Sequence, residues 1–241
     1  MTTIYQNIVT SSQKREKLLA VLIDPDKMNV QNVSTFISKV NKSKATHIFV
    51  GGSVVDEGLT EILVEAIKKH TVLPVVLFPG DELQITDKAD GILFLSLISG
   101  RNPDYLIGKH VKAVSKLKST NLEVIPTGYI LIENGKQTSV ERVSETKPLK
   151  RSDLQIIIDT AKAGELLGMR LIYLEAGSGA THAIEPEIIS KVKAVLNTPI
   201  IVGGGIRTIR DLEIAYKAGA DLVVIGTAFE ENEAFFDNLK K

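Results

Sequence analysis

The sequence contains no cysteine and no tryptophan. The absence of cysteine excludes disulfides and thiolate metal sites, and it makes a reducing cytoplasm the expected setting. Aromatic residues make up only 5%, and neither charge is in excess, Lys plus Arg matching Asp plus Glu at 29 each. There is thus no basic field to hold nucleic acid and no polybasic tail to sit on anionic lipid, so recognition of an anion has to be local. Long apolar runs are missing as well. The opening MTTIYQNIVTSSQKREK lacks the core of a signal peptide, and the longest run, residues 72–78, contains Pro74 and falls far short of the ~20 residues of a membrane span. The four histidines, at 47, 70, 110 and 182, show no HExxH-type spacing, which argues against zinc. A GxGxxG turn, a Walker loop and a GxSxG elbow are also absent, leaving nucleotide-cofactor and acyl-transfer chemistry without support.

What the chain does have is an ordinary globular composition, 44% hydrophobic and 24% charged over 241 residues, enough for one large domain or two smaller ones. Short β-rich apolar runs lie at 18–24, 47–50, 75–78, 91–95, 122–126, 170–175, 200–202 and 222–225. Helical spacing fills 30–40, 59–69, 103–117, 153–167, 186–195 and 209–218, with a last helix over 230–240. In the seventh unit Thr208 and Asp211 suit an N-terminal cap, Leu212, Ala215 and Tyr216 form an apolar stripe, and Gly219 suits the end. Eight alternating units without a linker predict a closed (β/α)8 barrel, the TIM-barrel fold, as a single domain over 1–241, in preference to an open doubly wound sheet. The third unit, GDELQITDKAD, is too short and polar for a helix and predicts an irregular replacement. The polar stretch 133–153, with NGK at 134–136, reads either as a hairpin-like lid or as a solvated insertion.

Chemistry concentrates at the predicted strand ends, where barrel enzymes carry their sites. Gly204 and Gly205 follow strand seven, and Gly226 and Thr227 follow strand eight. Paired glycine turns of this kind let backbone amides approach phosphate oxygens beside a helix N-terminus. YLEAGSG places Glu175 at the end of strand six, as a general base or a group orienting a hydroxyl, the structural alternative being a buried ion pair. LIDPDK presents Asp24, and VGGSVVDEG presents Ser53 and Asp56. A carboxylate beside a pyrophosphate works through Mg2+, with Ser53 as a second ligand or a phosphate contact. The plainer alternatives are an Asp-Pro turn and a helix cap.

With LIDPDK, VGGS, PTGY, YLEAGSG, VGGGIRT and GTAFE standing in order at successive strand ends, the chain resembles the geranylgeranylglyceryl phosphate synthase family over essentially its whole length. The wording is that of the branch found in some archaea and in bacteria. Leu22 stands where the related heptaprenylglyceryl phosphate synthases carry Lys.

The resemblance implies a prenyltransferase that joins the 3-hydroxyl of sn-glycerol 1-phosphate to C1 of geranylgeranyl diphosphate in archaeal-type ether lipid synthesis. It further implies that Asp24 and Ser53 hold Mg2+. Tyr173, Leu174, Glu175, Ala176, Gly177, Ser178 and Gly179 would then surround glycerol phosphate, with Gly204, Gly205, Gly226 and Thr227 on its phosphate. Tyr129 would flank the prenyl channel or pack in the core, and Tyr105, in NPDYLIG, would limit tail length or pack helix four on the barrel. The Lys147, Lys150 and Arg151 cluster is either a pyrophosphate contact or a solvated loop. The competing functions are another phosphate-handling barrel isomerase or synthase and a noncatalytic prenyl- or phosphate-binding barrel. Apolar Ile107 and Val111 on the outer surface predict a homo-oligomer, at least a dimer.

Overall fold

A computed structural model of the chain describes residues 3–226, 228, 229 and 239. Eight parallel strands follow one another in sequence order, and the eighth closes on the first. They are β1 (Leu18–Ile23), β2 (His47–Val50), β3 (Val75–Leu77), β4 (Gly91–Leu97), β5 (Glu123–Leu131), β6 (Leu171–Glu175), β7 (Ile200–Gly203) and β8 (Leu222–Ile225). Alternation along each strand splits the core in two. Leu18 and Ala20 of β1 turn inward with Phe49, Val76, Leu93 and Ile201, filling the barrel. Leu19, Val21 and Ile23 turn outward beneath the helices.

The helices are α1 (Ile4–Gln13), α2 (Val33–Lys42), α3 (Leu59–Lys68), α4 (Lys109–Leu117), α5 (Ser139–Ser144), α6 (Leu154–Leu166), α7 (Pro186–Val195) and α8 (Ile209–Ala218). In α8, Thr208 and Asp211 cap each other reciprocally, and Gly219, at φ 117°, ends the helix, as its sequence predicts. The third unit is indeed irregular, a single 3-10 turn over Glu82–Gln84. A π-helical turn, Asp104–Gly108, leads into α4, and Ile107 and Val111 there remain 58% and 66% exposed. The expected helix over 230–240, like Thr227, lies outside the described residues. Among the described residues no helix is long and apolar enough to cross a membrane.

Three elements depart from expectation. Helix α1 was not signalled by local pattern, because its anchors are distant: the Glu123 carboxylate accepts the amides of Ile4 and Tyr5 at 2.5 and 3.0 Å, and Ile8 joins the interior cluster. Strand β5 runs through Leu131 instead of stopping at Pro126. A proline removes one ladder donor, but its carbonyl accepts the Arg170 amide at 2.8 Å and the pairing with β6 continues to Leu131↔Glu175. Residues 133–153 form no hairpin. A parallel bridge joins Ile132 to Leu149, and between them Thr138 and Glu141 close a capping box on α5.

The amino end of the barrel is tied through Asp221, which accepts the Ser12 hydroxyl at 2.7 Å, the Lys193 ammonium at 2.6 Å and the Ile200 amide at 2.8 Å. Asp221→Ala leaves the buried Ile200 amide without its acceptor and removes the ion pair to Lys193, so we expect a loss of about 3 kcal/mol in urea denaturation. An unchanged midpoint would mean the network contributes nothing to stability.

Candidate active site

Strand β6 ends by burying a carboxylate. Glu175 is 5% exposed, and its Oε1 accepts the Gly177 amide at 2.5 Å. Burial pushes its carboxyl up to about 7, against the lowering pull of that amide and of the Tyr173 hydroxyl alongside. The Tyr173 hydroxyl is itself buried and, among the described residues, has no hydrogen-bond partner. Desolvation first, and then the charge of Glu175, holds the Tyr173 and Tyr129 phenols well above their ordinary range. The Tyr129 and Tyr173 rings meet edge to face at 5.3 Å, and Phe78 lies 5.3 Å from Tyr173 and 6.0 Å from Tyr129. The longer β5 explains this arrangement, since it pairs Tyr129 with Tyr173 across the ladder.

The glycine turn after β7 is fitted around the carboxylate. A Cβ at Gly203 would lie 2.3 Å from Tyr173 Oη, and one at Gly204 would lie 2.4 Å from Glu175 Oε1 and 2.6 Å from the Gly177 nitrogen. Gly204 and Gly205 also take φ +80° and +72°, the left-handed region that glycine enters without strain. The wall is therefore bare backbone, which suits an anion's oxygens.

Across the mouth, Asp24 Oδ1 accepts the Asp26 amide at 3.2 Å, and Oδ2 lies 3.4 Å from the Lys27 ammonium. A Cβ at Gly52 would be 3.0 Å from Asp24 Oδ1, so the strand-two turn carrying Ser53 abuts this carboxylate. Ser53 does not cap the following helix, because the cap of α3 is Gly58. Among the described residues no three His, Cys, Asp or Glu cluster as a metal cage. An Asp and a Ser beside an open cavity still suit Mg2+, which takes one or two protein oxygens and completes its shell from phosphates and water.

Two cavities share this mouth. One, of about 280 Å3, is lined by Asp24, Ser53, Tyr173, Glu175, Gly177, Ser178, Gly179, Gly204, Gly205 and Gly226, and also by Leu22 and Tyr129. The structure thus gathers most of the residues singled out from sequence. Leu174 and Ala176 are not among its walls; period-two alternation turns them outward into the helix-facing core. The second cavity, of about 110 Å3, is walled mainly by apolar groups including Leu93, Phe94, Leu95, Leu97 and Ala113, with Tyr105 among them. Gly52, Ser53, Phe78, Tyr129 and Val140 border both.

Sequence reasoning missed Lys27, Arg142 and Arg207, which line the larger cavity. Lys27 stands three residues after Asp24 and Arg207 directly follows the glycine turn and Ile206, so both could have been read from position; for Arg142, in a polar insertion, the one local signal is the capping-box spacing of Thr138 and Glu141. The Lys147, Lys150 and Arg151 cluster lines neither cavity, and Arg151 instead pairs with Glu185 at 2.9 Å.

Fold and site define a (β/α)8 barrel whose ligand cavity opens at the carboxyl ends of the strands. A sequence profile of the PcrB family matches residues 11–241, and the chain belongs to that family. It is 56% identical over 238 residues to the geranylgeranylglyceryl phosphate synthase of Flavobacterium johnsoniae, covering 99% of this chain and 98% of the relative. It is 38% identical over 236 residues to the protein of the same name from Methanosphaera stadtmanae, covering 98% and 96%. The crystal structure of (S)-3-O-geranylgeranylglyceryl phosphate synthase from Thermoplasma acidophilum, in complex with its substrate sn-glycerol-1-phosphate, superposes with a TM-score of 0.93 at 33% identity, covering 99% and 96% of the two chains.

The buried carboxyl gives stability a pH signature. Folding raises it from an ordinary 4.5 to about 7, so between those values the native chain holds more protons than the unfolded chain and stability falls as pH rises. Glu175→Gln removes the penalty. The variant should exceed the parent by on the order of 3 kcal/mol above about pH 7, with the advantage vanishing below about pH 4. A difference in urea denaturation that does not vary with pH would contradict this burial.

Proposed function

We propose that this chain is a prenyltransferase that joins the 3-hydroxyl of sn-glycerol 1-phosphate to C1 of geranylgeranyl diphosphate and releases pyrophosphate. One observation carries the reading: a polar cavity holding Glu175 and the glycine turns opens directly into an apolar one across Ser53, Phe78, Tyr129 and Val140. An isomerase of small sugar phosphates has no use for the second cavity, whereas each buried CH2 of a prenyl tail gains about 0.8 kcal/mol there. The names carried by relatives such as those from Flavobacterium johnsoniae and Methanosphaera stadtmanae point the same way.

In this reading the phosphate of glycerol phosphate rests on the amides of Gly204 and Gly205, with Gly226 completing the cradle. Gly177, Ser178 and Gly179 close over the glycerol. Its hydroxyl then faces Glu175, whose carboxyl titrates near 7 and so is poised to take a proton at neutral pH. The C1–O bond to diphosphate breaks as the C1–O bond to glycerol forms, the hydroxyl proton passes to Glu175 and then to solvent, and pyrophosphate departs with the bonding electrons. Asp24 and Ser53 would hold Mg2+, which supplies neutralising charge to the leaving oxygens. Phe78, Tyr129 and Tyr173 keep water from the allylic carbon.

The direct test is incubation of the purified chain with Mg2+, sn-glycerol 1-phosphate and labelled prenyl diphosphates, followed by product identification. Formation of the ether is expected; acceptance of sn-glycerol 3-phosphate alone, or no product, would reject the reading. Asp24→Asn should lower turnover on the order of 10²-fold or more while glycerol phosphate affinity stays within about twofold, since the metal serves only the diphosphate. Equal loss of both would undo that division.

Tyr105 walls the apolar cavity, with its hydroxyl donating to the Val143 carbonyl at 3.0 Å. We assign it the end stop for the tail. Tyr105→Ala should admit longer diphosphates while retaining C20, because the ring removed lines the apolar cavity and not the one that holds Glu175. An unaltered length profile in a folded variant would move the stop elsewhere.

A further inference from the structure

The mouth between the cavities must hold a diphosphate of several negative charges, yet the site as assigned places only Asp24 and Ser53 there. The geometry points to Arg142 as the side chain that binds this diphosphate and holds it at the junction, an inference that rests on the prenyl diphosphate reading above.

Helix α5 straddles the junction with a divided face. Ser139 and Arg142 line the polar cavity, Val143 lines the apolar one, and Val140 borders both. Residues three apart share a helix face, so the polar pair and the apolar pair form adjacent stripes, one toward each cavity. Both ends of the helix are pinned. At its start, Thr138 packs so closely on the β6 turn that a Cβ at Gly177 would lie 2.2 Å from its methyl group. At its end, the carbonyls of Val143 and Ser144 accept Tyr105 Oη at 3.0 Å and Asn102 Nδ2 at 2.8 Å. Arg142 is thus presented from a fixed backbone, and no carboxylate among the described residues pairs with it.

The other two cations of the cavity are placed for different work. Lys27 lies 3.4 Å from Asp24, and Arg207 follows the glycine turn at the glycerol phosphate end. Arg142 is the cation two residues from the wall that the cavities share. The diphosphate has to lie at that wall, because C1 is bonded to it and the tail runs into the apolar cavity. A guanidinium fork matches phosphate oxygens bidentately and keeps its charge at any working pH.

The test is calorimetric titration of inorganic pyrophosphate, with Mg2+ present, into the full chain and its variants, which needs no turnover. Arg142→Ala should weaken pyrophosphate binding on the order of tenfold or more, and Arg142→Lys should lie between, having charge without the fork. In steady-state assays the KM for the prenyl diphosphate should rise by a similar factor, and that for sn-glycerol 1-phosphate should stay within about twofold. Lys147→Ala, which removes a charge from the same insertion away from either cavity, should change neither. Unchanged melting temperatures would show that the variants are folded. Pyrophosphate affinity that is equal in the parent and Arg142→Ala, or undetectable in the parent, overturns the inference, as does a loss confined to glycerol phosphate. If the parent makes no ether but loses pyrophosphate binding on Arg142→Ala, the diphosphate site stands and the proposed reaction fails.

Discussion

A carboxylate that folding forces out of water sets the terms for everything around it. Glu175 reaches the end of β6 in a place walled by Tyr173, Tyr129 and the turn after β7, where its Oε1 accepts the Gly177 amide. A fully compensated carboxylate would titrate low; this one is pushed up to about 7 by its burial. The glycines at 203 and 204 follow from the same constraint, because a side chain at either would occupy the space of the carboxylate or the Tyr173 hydroxyl. Two needs therefore converge on one turn, room for the acid and bare amides for an anion. At the opposite end of the barrel a second carboxylate is fully engaged, Asp221 satisfying donors from α1, α7 and β7.

The second organising feature is the boundary between cavities. A tail-bearing diphosphate has two incompatible ends, and a site for it needs a polar and an apolar chamber separated by about one bond. The extension of β5 past Pro126 supplies half of that boundary by setting Tyr129 beside Tyr173. Helix α5 supplies the other half, its Val143 and Arg142 facing different chambers from one turn. On the proposed reading, selectivity for head and tail is thus written on a strand and a helix that the rest of the barrel holds still.

How far this could be read from sequence depended on the range of the interactions. The eight strands were legible because each is buried on both faces and bounded by its own turns, and α8 because its cap, stripe and terminal glycine are all local. Helix α1 escaped because its anchor is Glu123, more than a hundred residues away. The site glycines were visible as motifs, but the physical reason for Gly203 appears only once Tyr173 stands behind it. Leu174 and Ala176 were swept in with their motif although strand alternation points them outward. In the polar insertion, Thr138 and Glu141 did carry the spacing of a capping box, a signal overlooked in favour of the NGK turn, and with it went Arg142. Lys147, Lys150 and Arg151, legible only as either a pyrophosphate contact or a solvated loop, line neither cavity, and Arg151 pairs with Glu185.

Burial holds the Glu175 carboxyl near neutrality, which on the proposed reading lets it exchange a proton with a bound hydroxyl. Difference infrared spectroscopy of the parent chain against Glu175→Gln, followed across pH, observes that carboxyl directly. A protonated carboxyl band that titrates near pH 7 is expected. A band absent throughout neutral pH, with the group ionising in the ordinary glutamate range near 4.5, would contradict it.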